Sequence, residues 1–307
     1  MRKCIVALGA LVLAAASARA EENCRLTRVA SLPLTVLTGG HIAVQAGVEG
    51  RPVTMAVDTG SPLSILSRSA VDALGLHEQM IANPWTTPQL YGGQRAYEYV
   101  RVKAFTLGNS RPASAEFAVM PAEAFPDVDG LIGADFLWNF DIDFDFAAAK
   151  LNIFLPHPCP GRAVYWTQDE SAVSKIAMAS TEHDRHVLVP IELDGVTYRA
   201  VLDTGAAVSA MNLEEAESDF HLTPSSPGMT RVADGGDFKG AYTYPFKTLT
   251  FGGVTVRNPR IFLNPEDSSK LRYVNKRVLV GISVLRQLHF YVAYQERLLY
   301  VTAASAH

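Results

Sequence analysis

The sequence predicts an all-β protein, mostly strands with short helices, built from two copies of one unit related by a pseudo-twofold axis. The segment His41–Asp58 aligns without a gap with His186–Asp203, and each copy has the pattern of a β-hairpin that continues into an apolar strand. Each of these strands ends at the same Asp-Thr-Gly motif. Further along the chain, Leu131–Leu137 aligns with Leu279–Leu285. Because such an internal repeat is the signature of a duplicated structural unit, the fold is predicted to have two matching lobes.

Short elements follow in the same order in both copies. The hairpins turn at Glu49-Gly50 and at Asp194-Gly195. An Asp-Gly pair between alternating apolar residues is a strong signal for a two-residue hairpin loop, and Glu-Gly is a weaker one. After the motif, each copy has an amphipathic piece, Ser67–Leu76 or Asn212–Phe220, where we predict a short helix.

Each copy closes with a second hairpin, predicted over Phe140–Phe154 and Leu288–Val301. Within the first of these, Asp141–Phe146 alternates acidic and apolar residues and superficially resembles a calcium loop. It lacks the central glycine and the distal glutamate of such loops. Strict alternation is typical of a half-buried strand, and we therefore predict a strand here.

The boundary between the copies is predicted where proline and glycine cluster between residues 156 and 161. Two pieces near this boundary, Ala163–Trp166 and Lys175–Ala179, are candidates for strands that tie the lobes together. The predicted divisions of the chain are a cleaved signal peptide over 1–20, an N-terminal lobe over 21–158, a linker over 159–184 and a C-terminal lobe over 185–307.

The first residues have the pattern of a secretory signal. A basic start at Arg2-Lys3 precedes an apolar run over Cys4–Ala16, and Ala18-Arg19-Ala20 is a small-x-small cleavage site. The apolar run is too short to span a bilayer, and a short anchor is the alternative interpretation. We expect an exported protein, periplasmic or secreted, whose mature chain begins near Glu21 and has no membrane partner.

Composition and charge narrow the class of partner. The chain is 48% hydrophobic and 19% charged, which is typical of a globular protein. Removal of the signal would leave 24 basic and 31 acidic residues, a net charge of −7. This balance argues against a nucleic-acid partner.

The cysteines indicate a disulfide rather than a metal site. Signal cleavage would leave only Cys24 and Cys159, and two cysteines in an exported protein most often pair. Neither has the CxxC spacing of a metal site. His183 and His186 have a three-residue spacing, but no second pair of ligands lies near them in the sequence. We expect no metal and no cofactor.

The two Asp-Thr-Gly motifs and their partner blocks resemble those of the aspartic peptidases of the pepsin/retropepsin superfamily. The resemblance covers roughly residues 41–155 and 186–301. It implies a bilobal acid-protease fold in a single chain with two retropepsin-like lobes. The residues that carry it are Val57-Asp58-Thr59-Gly60-Ser61 with Leu131-Ile132-Gly133, and Leu202-Asp203-Thr204-Gly205-Ala206 with Leu279-Val280-Gly281.

The resemblance implies that Asp58 and Asp203 form the catalytic pair. Two carboxyl groups about 3 Å apart cannot both ionise, so they share one proton and titrate as a coupled pair. The ionised member draws a proton from a water, while the protonated member polarises the peptide carbonyl. The hydroxyls of Thr59 and Thr204 would brace the two motif loops against each other.

The residues after each threonine complete the predicted support. Gly60 and Gly205 would let backbone N–H groups approach the carboxylates and hold them coplanar. In the family, a hydroxyl at the position of Ser61 can bond the carboxylate and favour its charged form, whereas the second copy has Ala206 there. We therefore expect Asp203 to be the protonated member.

Glycine pairs mark two candidate flaps over the substrate. Tyr91-Gly92-Gly93 and Asp234-Gly235-Gly236 each lie between strand-like segments. Two glycines supply the backbone freedom that a flap tip needs, although a plain surface turn is the alternative. A candidate in each copy resembles the retropepsin pattern, which has two flaps.

The predicted activity is that of an aspartic endopeptidase that binds a peptide or protein substrate as an added strand and acts as a monomer. Two alternatives remain. The first is a catalytically inactive peptide-binding protein with the same fold, against which the two intact motifs argue. The second is a homodimer in which each catalytic pair forms between chains.

Overall fold

A computed structural model describes residues 26–81, 95–120, 127–156, 164–233, 239–265 and 277–304. Strands make up 49% and helices 11% of the structure, and two of the sheets are barrel-like. The predicted all-β class with two lobes is therefore confirmed.

The strands of the two copies follow one another along the chain. The first copy contains β1 Arg28–Pro33, β2 Thr35–Val36, β3 Ile42–Val48, β4 Arg51–Val57, β5 Ile65–Ser67, β6 Glu78–Met80, β7 Glu98–Leu107, β8 Ala113–Met120, β9 Gly130–Ile132, β10 Asp141–Asp145 and β11 Lys150–Phe154. The second contains β12 Ser174–Ala177, β13 Val187–Leu193, β14 Val196–Leu202, β15 Ser209–Asn212, β16 Thr230–Arg231, β17 Tyr242–Pro245, β18 Thr248–Phe251, β19 Val254–Arg257, β20 Arg260–Asn264, β21 Arg277–Val280, β22 Leu288–Ala293 and β23 Leu298–Ala303.

Each copy builds its own sheet. Eight described strands of the first copy form the order β2-β3-β4-β9-β5-β8-β7-β6, and β3 also pairs with β7, which curls the sheet. Nine described strands of the second copy form the order β16-β17-β20-β15-β21-β14-β13-β18-β19. In both sheets the strand that ends at the motif pairs in parallel with the strand of the apolar-apolar-Gly block: Val57 lies opposite Ile132, and Leu202 lies opposite Val280. The two repeated sequence blocks are therefore neighbours in space.

Both predicted hairpin turns are confirmed. β3 and β4 are joined at Glu49 and Gly50, whose φ values are 48° and 76°. β13 and β14 are joined at Asp194 and Gly195, with φ values of 46° and 85°. Positive φ at both central residues gives a turn whose twist matches that of the flanking strands, which explains why each turn carries a glycine.

The predicted short helices are also confirmed. Ser67 and Asn212 cap the first helix of each copy with their side-chain oxygens, which accept hydrogen bonds from backbone N–H groups three residues on. The second helix of each copy is a single turn that starts directly after the glycine of the apolar-apolar-Gly block. The helices are α1 Arg68–Leu74, α2 Ala134–Leu137, α3 Leu213–Phe220 and α4 Ile282–Leu285, and a 3₁₀ turn spans Glu170–Ala172.

A third sheet joins the two copies. Its six described strands have the order β1-β11-β10-β22-β23-β12, so the closing hairpin of each copy contributes two strands. β10 and β22 pair in antiparallel fashion at its centre, where Ile142 lies opposite Val292. The outer strands β1 and β12 occupy equivalent edges, because each pairs with the last strand of its own copy. The pseudo-twofold axis therefore passes between β10 and β22.

The strand predicted over Asp141–Phe146 is present as β10, but the expected half burial is wrong. Asp141, Asp143 and Asp145 are all buried, with exposures of 0%, 0% and 8%. Their carboxyl groups are buried because β10 lies at the centre of the third sheet and polar partners cover its acidic face. The Asp143 carboxylate faces His289 Nε2 at 2.7 Å, and its other oxygen accepts a hydrogen bond of 2.6 Å from the Tyr165 hydroxyl.

The region between the copies contributes one strand and two aromatic side chains. β12 lies within the segment 159–184 that the sequence assigned to a linker, and it overlaps the candidate strand Lys175–Ala179. The candidate at Ala163–Trp166 is wrong for its described residues, because Val164–Trp166 is not a strand. Instead, the Trp166 ring stacks on His289 at 4.1 Å between ring centroids. Among the described residues, no helix is both long and apolar enough to cross a bilayer.

Candidate active site

Asp58 and Asp203 occupy equivalent places at the ends of strands β4 and β14. The backbone N–H of Asp58 donates to the carbonyl of Ile132 at 3.0 Å, and that of Asp203 donates to the carbonyl of Val280 at 2.9 Å. The parallel pairing with β9 or β21 thus continues through each aspartate. These bonds fix where each strand ends and where its carboxyl group begins.

The two motifs of this single chain face each other. A Cβ atom placed on Gly60 would lie 2.3 Å from Cγ of Asp203, and one placed on Gly205 would lie 2.2 Å from Cγ of Asp58. No side chain fits at such distances. The glycines therefore allow each motif loop to lie against the carboxyl group of the other copy. The two carboxyl groups are close enough for each to affect the pKa of the other.

Backbone donors hold each carboxyl group in place. Gly60 and Ser61 donate their N–H groups to Oδ1 of Asp58 at 2.8 and 2.9 Å. Gly205 donates its N–H to Oδ1 of Asp203 at 2.9 Å. Such bonds favour the charged form of a carboxyl group, because they are charge-assisted only when it is ionised.

The role expected for the Ser61 hydroxyl is wrong. Its Oγ donates to the carbonyl of Leu63 at 2.8 Å and not to the carboxylate of Asp58. A hydroxyl readily bonds a backbone group two residues away, and the bend of the motif loop brings the Leu63 carbonyl within reach. Ser61 contacts Asp58 through its backbone N–H, a group that Ala206 also has. The hydroxyl therefore does not distinguish the two carboxyl groups.

Thr59 and Thr204 link the two motif loops reciprocally. The Thr59 hydroxyl donates to the carbonyl of Leu202 at 2.6 Å and accepts from the backbone N–H of Thr204 at 3.1 Å. The Thr204 hydroxyl donates to the carbonyl of Val57 at 2.6 Å and accepts from the N–H of Thr59 at 3.1 Å. Both side chains are buried, with exposures of 1% and 0%. Four hydrogen bonds without access to water therefore couple the loops.

The two carboxyl groups differ in how strongly their surroundings raise the pKa. Both are partly accessible to solvent but are densely surrounded by protein, and this burial raises the pKa of each. The pKa of Asp203 rises well above its usual value because the charge of Asp58 adds to the burial. For Asp58 the rise is opposed by the N–H donors and by the nearby His186. The pKa of Asp203 is therefore the more strongly raised of the two.

One serine in each copy, for which no role was predicted from the sequence, supports the motif of that copy. Ser64 Oγ accepts a 3.0 Å bond from the N–H of Gly133 and donates to Asp135 Oδ1 at 2.7 Å. In the second copy, Ser209 Oγ accepts a 3.0 Å bond from the N–H of Gly281 and lies 3.3 Å from Ser283 Oγ. Ser283 therefore occupies the place of Asp135 and makes the equivalent contact. Both serines stand six positions after their aspartate, so the repeat itself was the available signal.

His41 and His186, which begin the aligned segments, also reach the motifs. His41 Nδ1 lies 2.7 Å from the carbonyl oxygen of Gly205, and His186 Nε2 lies 3.0 Å from that of Gly60. Each histidine thus crosses to the motif of the opposite copy. The repeat places these two histidines at equivalent positions, but their contacts depend on how the copies meet, so the sequence alone does not reveal a role for them at the site.

Several predicted features lie outside the described residues. These are both candidate flaps (Tyr91-Gly92-Gly93 and Asp234-Gly235-Gly236), the signal segment, and the cysteines Cys24 and Cys159. Within the part of the chain that the structure describes, no group of three or more His, Cys, Asp or Glu side chains is arranged to hold a metal ion.

The fold and the site together define a class of protein: two homologous β lobes in one chain, each of which presents an Asp-Thr-Gly carboxyl group to the other. The family model described as aspartyl protease matches residues 44–136 and 189–284. These segments cover more than half of the chain, and each includes one of the two aspartates. The chain therefore belongs to the aspartyl protease family. No curated protein matches the sequence.

Proposed function

We propose that the chain is an aspartic endopeptidase that hydrolyses peptide bonds with a water activated between Asp58 and Asp203. Membership of the aspartyl protease family supports a peptidase. The observation that carries the mechanism is the reciprocal packing of the motifs, in which Gly60 lies against Asp203 and Gly205 against Asp58. In the proposal, one of these two neighbouring carboxyl groups is ionised and the other is protonated.

The proposed reaction uses the two carboxyl groups in turn. Asp58, as the carboxylate, takes a proton from the water, and the water oxygen attacks the peptide carbonyl carbon. Asp203 donates its proton to the carbonyl oxygen, so that a neutral tetrahedral diol forms. Asp58 then gives its proton to the amide nitrogen, the C–N bond breaks, and a diol hydroxyl returns a proton to Asp203. Both carboxyl groups end in their starting states.

The direction of the pKa shifts supports this division of roles. The pKa of Asp203 is the more strongly raised, because burial and the charge of Asp58 both disfavour its ionisation. Backbone donors from Gly60 and Ser61 favour the charge on Asp58. In the proposal, Thr59 and Thr204 hold the two loops at the separation that the shared proton requires.

The substrate is proposed to be an extended peptide segment of a protein, bound as an added strand. The segments Tyr91-Gly92-Gly93 and Asp234-Gly235-Gly236 remain the candidate flaps that would cover it. A peptide library incubated with the purified chain at several pH values should be cleaved, and a statine-type inhibitor should suppress cleavage. Binding of library peptides without cleavage would favour the inactive peptide-binding alternative.

Substitution of each aspartate tests the dyad directly. Asp58→Asn and Asp203→Asn should each abolish cleavage, whereas Asp169→Asn, at the exposed cap of the 3₁₀ turn, should not. Substantial activity in either of the first two variants would contradict the mechanism. A mixture of the Asp58→Asn and Asp203→Asn chains separates the two assemblies. Intramolecular dyads stay inactive in the mixture, whereas dyads formed between chains would regain one intact pair.

Export, the disulfide and the monomeric state are proposed with the activity. The signal pattern at the start of the chain predicts a mature protein that begins near Glu21, which N-terminal sequencing of the secreted or periplasmic product would test. A bond between Cys24 and Cys159 would lower the mass by two hydrogens relative to the reduced chain. Light scattering on the mature protein would give its oligomeric state.

A further inference from the structure

His186 differs from its repeat partner His41 in one respect that bears on the site. Both rings lie against a glycine carbonyl of the opposite motif, but His186 also places Nδ1 2.5 Å from Oδ1 of Asp184. A carbonyl and a carboxylate can only accept hydrogen bonds. For both contacts to be hydrogen bonds, both ring nitrogens must carry protons, which is the imidazolium form of the ring. His41 has one such acceptor and is exposed.

The Gly60 carbonyl connects this cation to the catalytic carboxyl group. That carbonyl and the N–H of Ser61 belong to one peptide group, and the N–H donates to Oδ1 of Asp58 at 2.9 Å. A positive donor at the carbonyl end polarises the peptide and strengthens the bond made by its N–H end. The charge of His186 also acts on Asp58 through space. Both effects favour the ionised form of Asp58.

Two acidic groups of the described residues interact with His186. Asp184 lies on its own segment, and Asp58, backed by Asp203, faces it from the opposite copy. The adjacent Arg185 places its guanidinium 5.9 Å from the centroid of the Trp138 ring and donates Nε to the carbonyl of Glu182. The His186 ring therefore lies between the Asp184 carboxylate that it contacts and the Asp58 carboxyl group of the opposite copy.

We propose that Asp184 and His186 form a positioning pair for the dyad, in which the His186 imidazolium fixes the Gly60 carbonyl across the lobe boundary and keeps the negative charge on Asp58. The inference rests on the proposed peptidase function. It gives the asymmetry of the dyad a source outside the motifs. In the first copy, Gly39 stands where Asp184 stands in the second, and no carboxylate contacts the His41 ring in the described structure.

The acidic limb of the pH profile of kcat/KM, measured with quenched fluorescent casein, tests the proposal. His186→Gln removes the cation and leaves Asp184, so Asp58 becomes harder to ionise. The acidic limb should therefore shift to higher pH by about half to one pH unit. Asp184→Asn removes the counter-ion and leaves the cation, so the limb should stay in place or move down. A purely structural clamp would make both variants behave alike.

Two further variants complete the test. His186→Lys retains a positive charge and should bring the limb back toward its wild-type position. His41→Gln, the matched variant in the other copy, should move the limb less than half as far as His186→Gln, because the exposed ring is screened by solvent. An unchanged limb in His186→Gln, or equal shifts in the two Gln variants, would overturn the inference.

A titration of carbon-13-labelled aspartate carboxyl groups by NMR provides a readout that needs no turnover. The dyad signals, assigned with Asp58→Asn, should titrate at higher pH in His186→Gln than in wild type. If the wild-type chain does not cleave casein but the dyad signals still titrate at higher pH in His186→Gln than in wild type, the proposed function fails and the positioning role stands. If casein is cleaved and neither readout moves in His186→Gln, the positioning role fails alone.

Discussion

The Cα of Gly60 lies against the carboxyl group of Asp203, so close that a Cβ at position 60 would be 2.3 Å from Asp203 Cγ. The residues are 143 positions apart in the chain and belong to different copies of the repeat. This contact joins the two halves of the site, because it holds a loop of one copy against the carboxyl group of the other.

Gly60→Ala should reduce kcat/KM by at least about 100-fold, because the added methyl group must push the Asp203 carboxyl group away from Asp58, and a displacement of about 1 Å can cost that much. Cleavage of a library peptide gives the rate, and thermal unfolding shows whether the fold survives. Gly253→Ala is the control, since a Cβ there meets open space. A folded Gly60→Ala enzyme with wild-type kcat/KM would show that the close contact is not required.

Thr59→Val should lower the free energy of unfolding by about 1–3 kcal/mol, because it leaves the buried N–H of Thr204 and the carbonyl of Leu202 without their partner. Chemical denaturation measures the change. Thr59→Ser keeps the hydroxyl and should retain most of the stability. Equal losses in the two variants would assign the effect to the missing methyl group instead of the hydrogen bonds.

Asp203→Asn should raise the melting temperature at neutral pH while it abolishes cleavage. The pKa of Asp203 is raised in the folded state, so between the usual value of 3.8 and the folded value the native protein holds a proton that the unfolded chain has lost. Wild-type stability therefore falls by up to about 1.4 kcal/mol for each pH unit as the pH rises through this window. Because asparagine does not titrate, the Asp203→Asn variant does not lose this stability as the pH rises.

Melting curves from pH 3 to pH 7 check this sign. The difference between Asp203→Asn and wild type should vanish below the usual carboxyl pKa and grow above it. Asp58→Asn should stabilise less, because backbone donors offset part of the effect of burial on the pKa of Asp58. A stabilisation of Asp203→Asn that stays constant with pH would contradict the linkage.

His289→Phe should destabilise the third sheet. It leaves the carboxyl group of Asp143, which is 0% exposed, without its imidazole partner at 2.7 Å. Removal of one member of a buried pair typically costs about 3–5 kcal/mol. Arg101→Met is the control, since it breaks an exposed pair with Glu116 and should cost at most about 1 kcal/mol. Denaturant unfolding compares the two, and similar small losses would show that the buried pair adds nothing.

The elements that local sequence specifies were predictable. Alternating apolar residues and the Glu49-Gly50 and Asp194-Gly195 pairs define hairpins, because only a few residues fit the positive φ of their turns. Ser67 and Asn212 begin helices because their side chains satisfy free N–H groups of the first turn. The duplication then predicted two lobes and a pair of aspartates without any knowledge of how the lobes pack.

Contacts between distant residues were not predictable in the same way. The Ser61 hydroxyl had two possible partners, and only the bend of its loop directs it to Leu63. The alternation in β10 predicted that its acidic face would be exposed to solvent. Pairing with β22 and the contact with Tyr165 instead bury the acidic side chains. The alternation of residues along a strand indicates which side chains share a face of the sheet. Whether that face is exposed to solvent depends on the neighbouring strands and on what packs against them.

The sequence by itself determined that the protein has two copies of one β unit, that each carries an Asp-Thr-Gly motif at a strand end, and that the chain resembles an aspartic peptidase. These properties depend on residues close together in each repeat. The tertiary structure alone decided that Gly60 and Gly205 lie against the opposite carboxyl groups, that Thr59 and Thr204 exchange hydrogen bonds, and that His186 reaches across to Gly60. The reason is physical: each of these contacts forms only when two surfaces from distant parts of the chain meet at a fixed angle and distance.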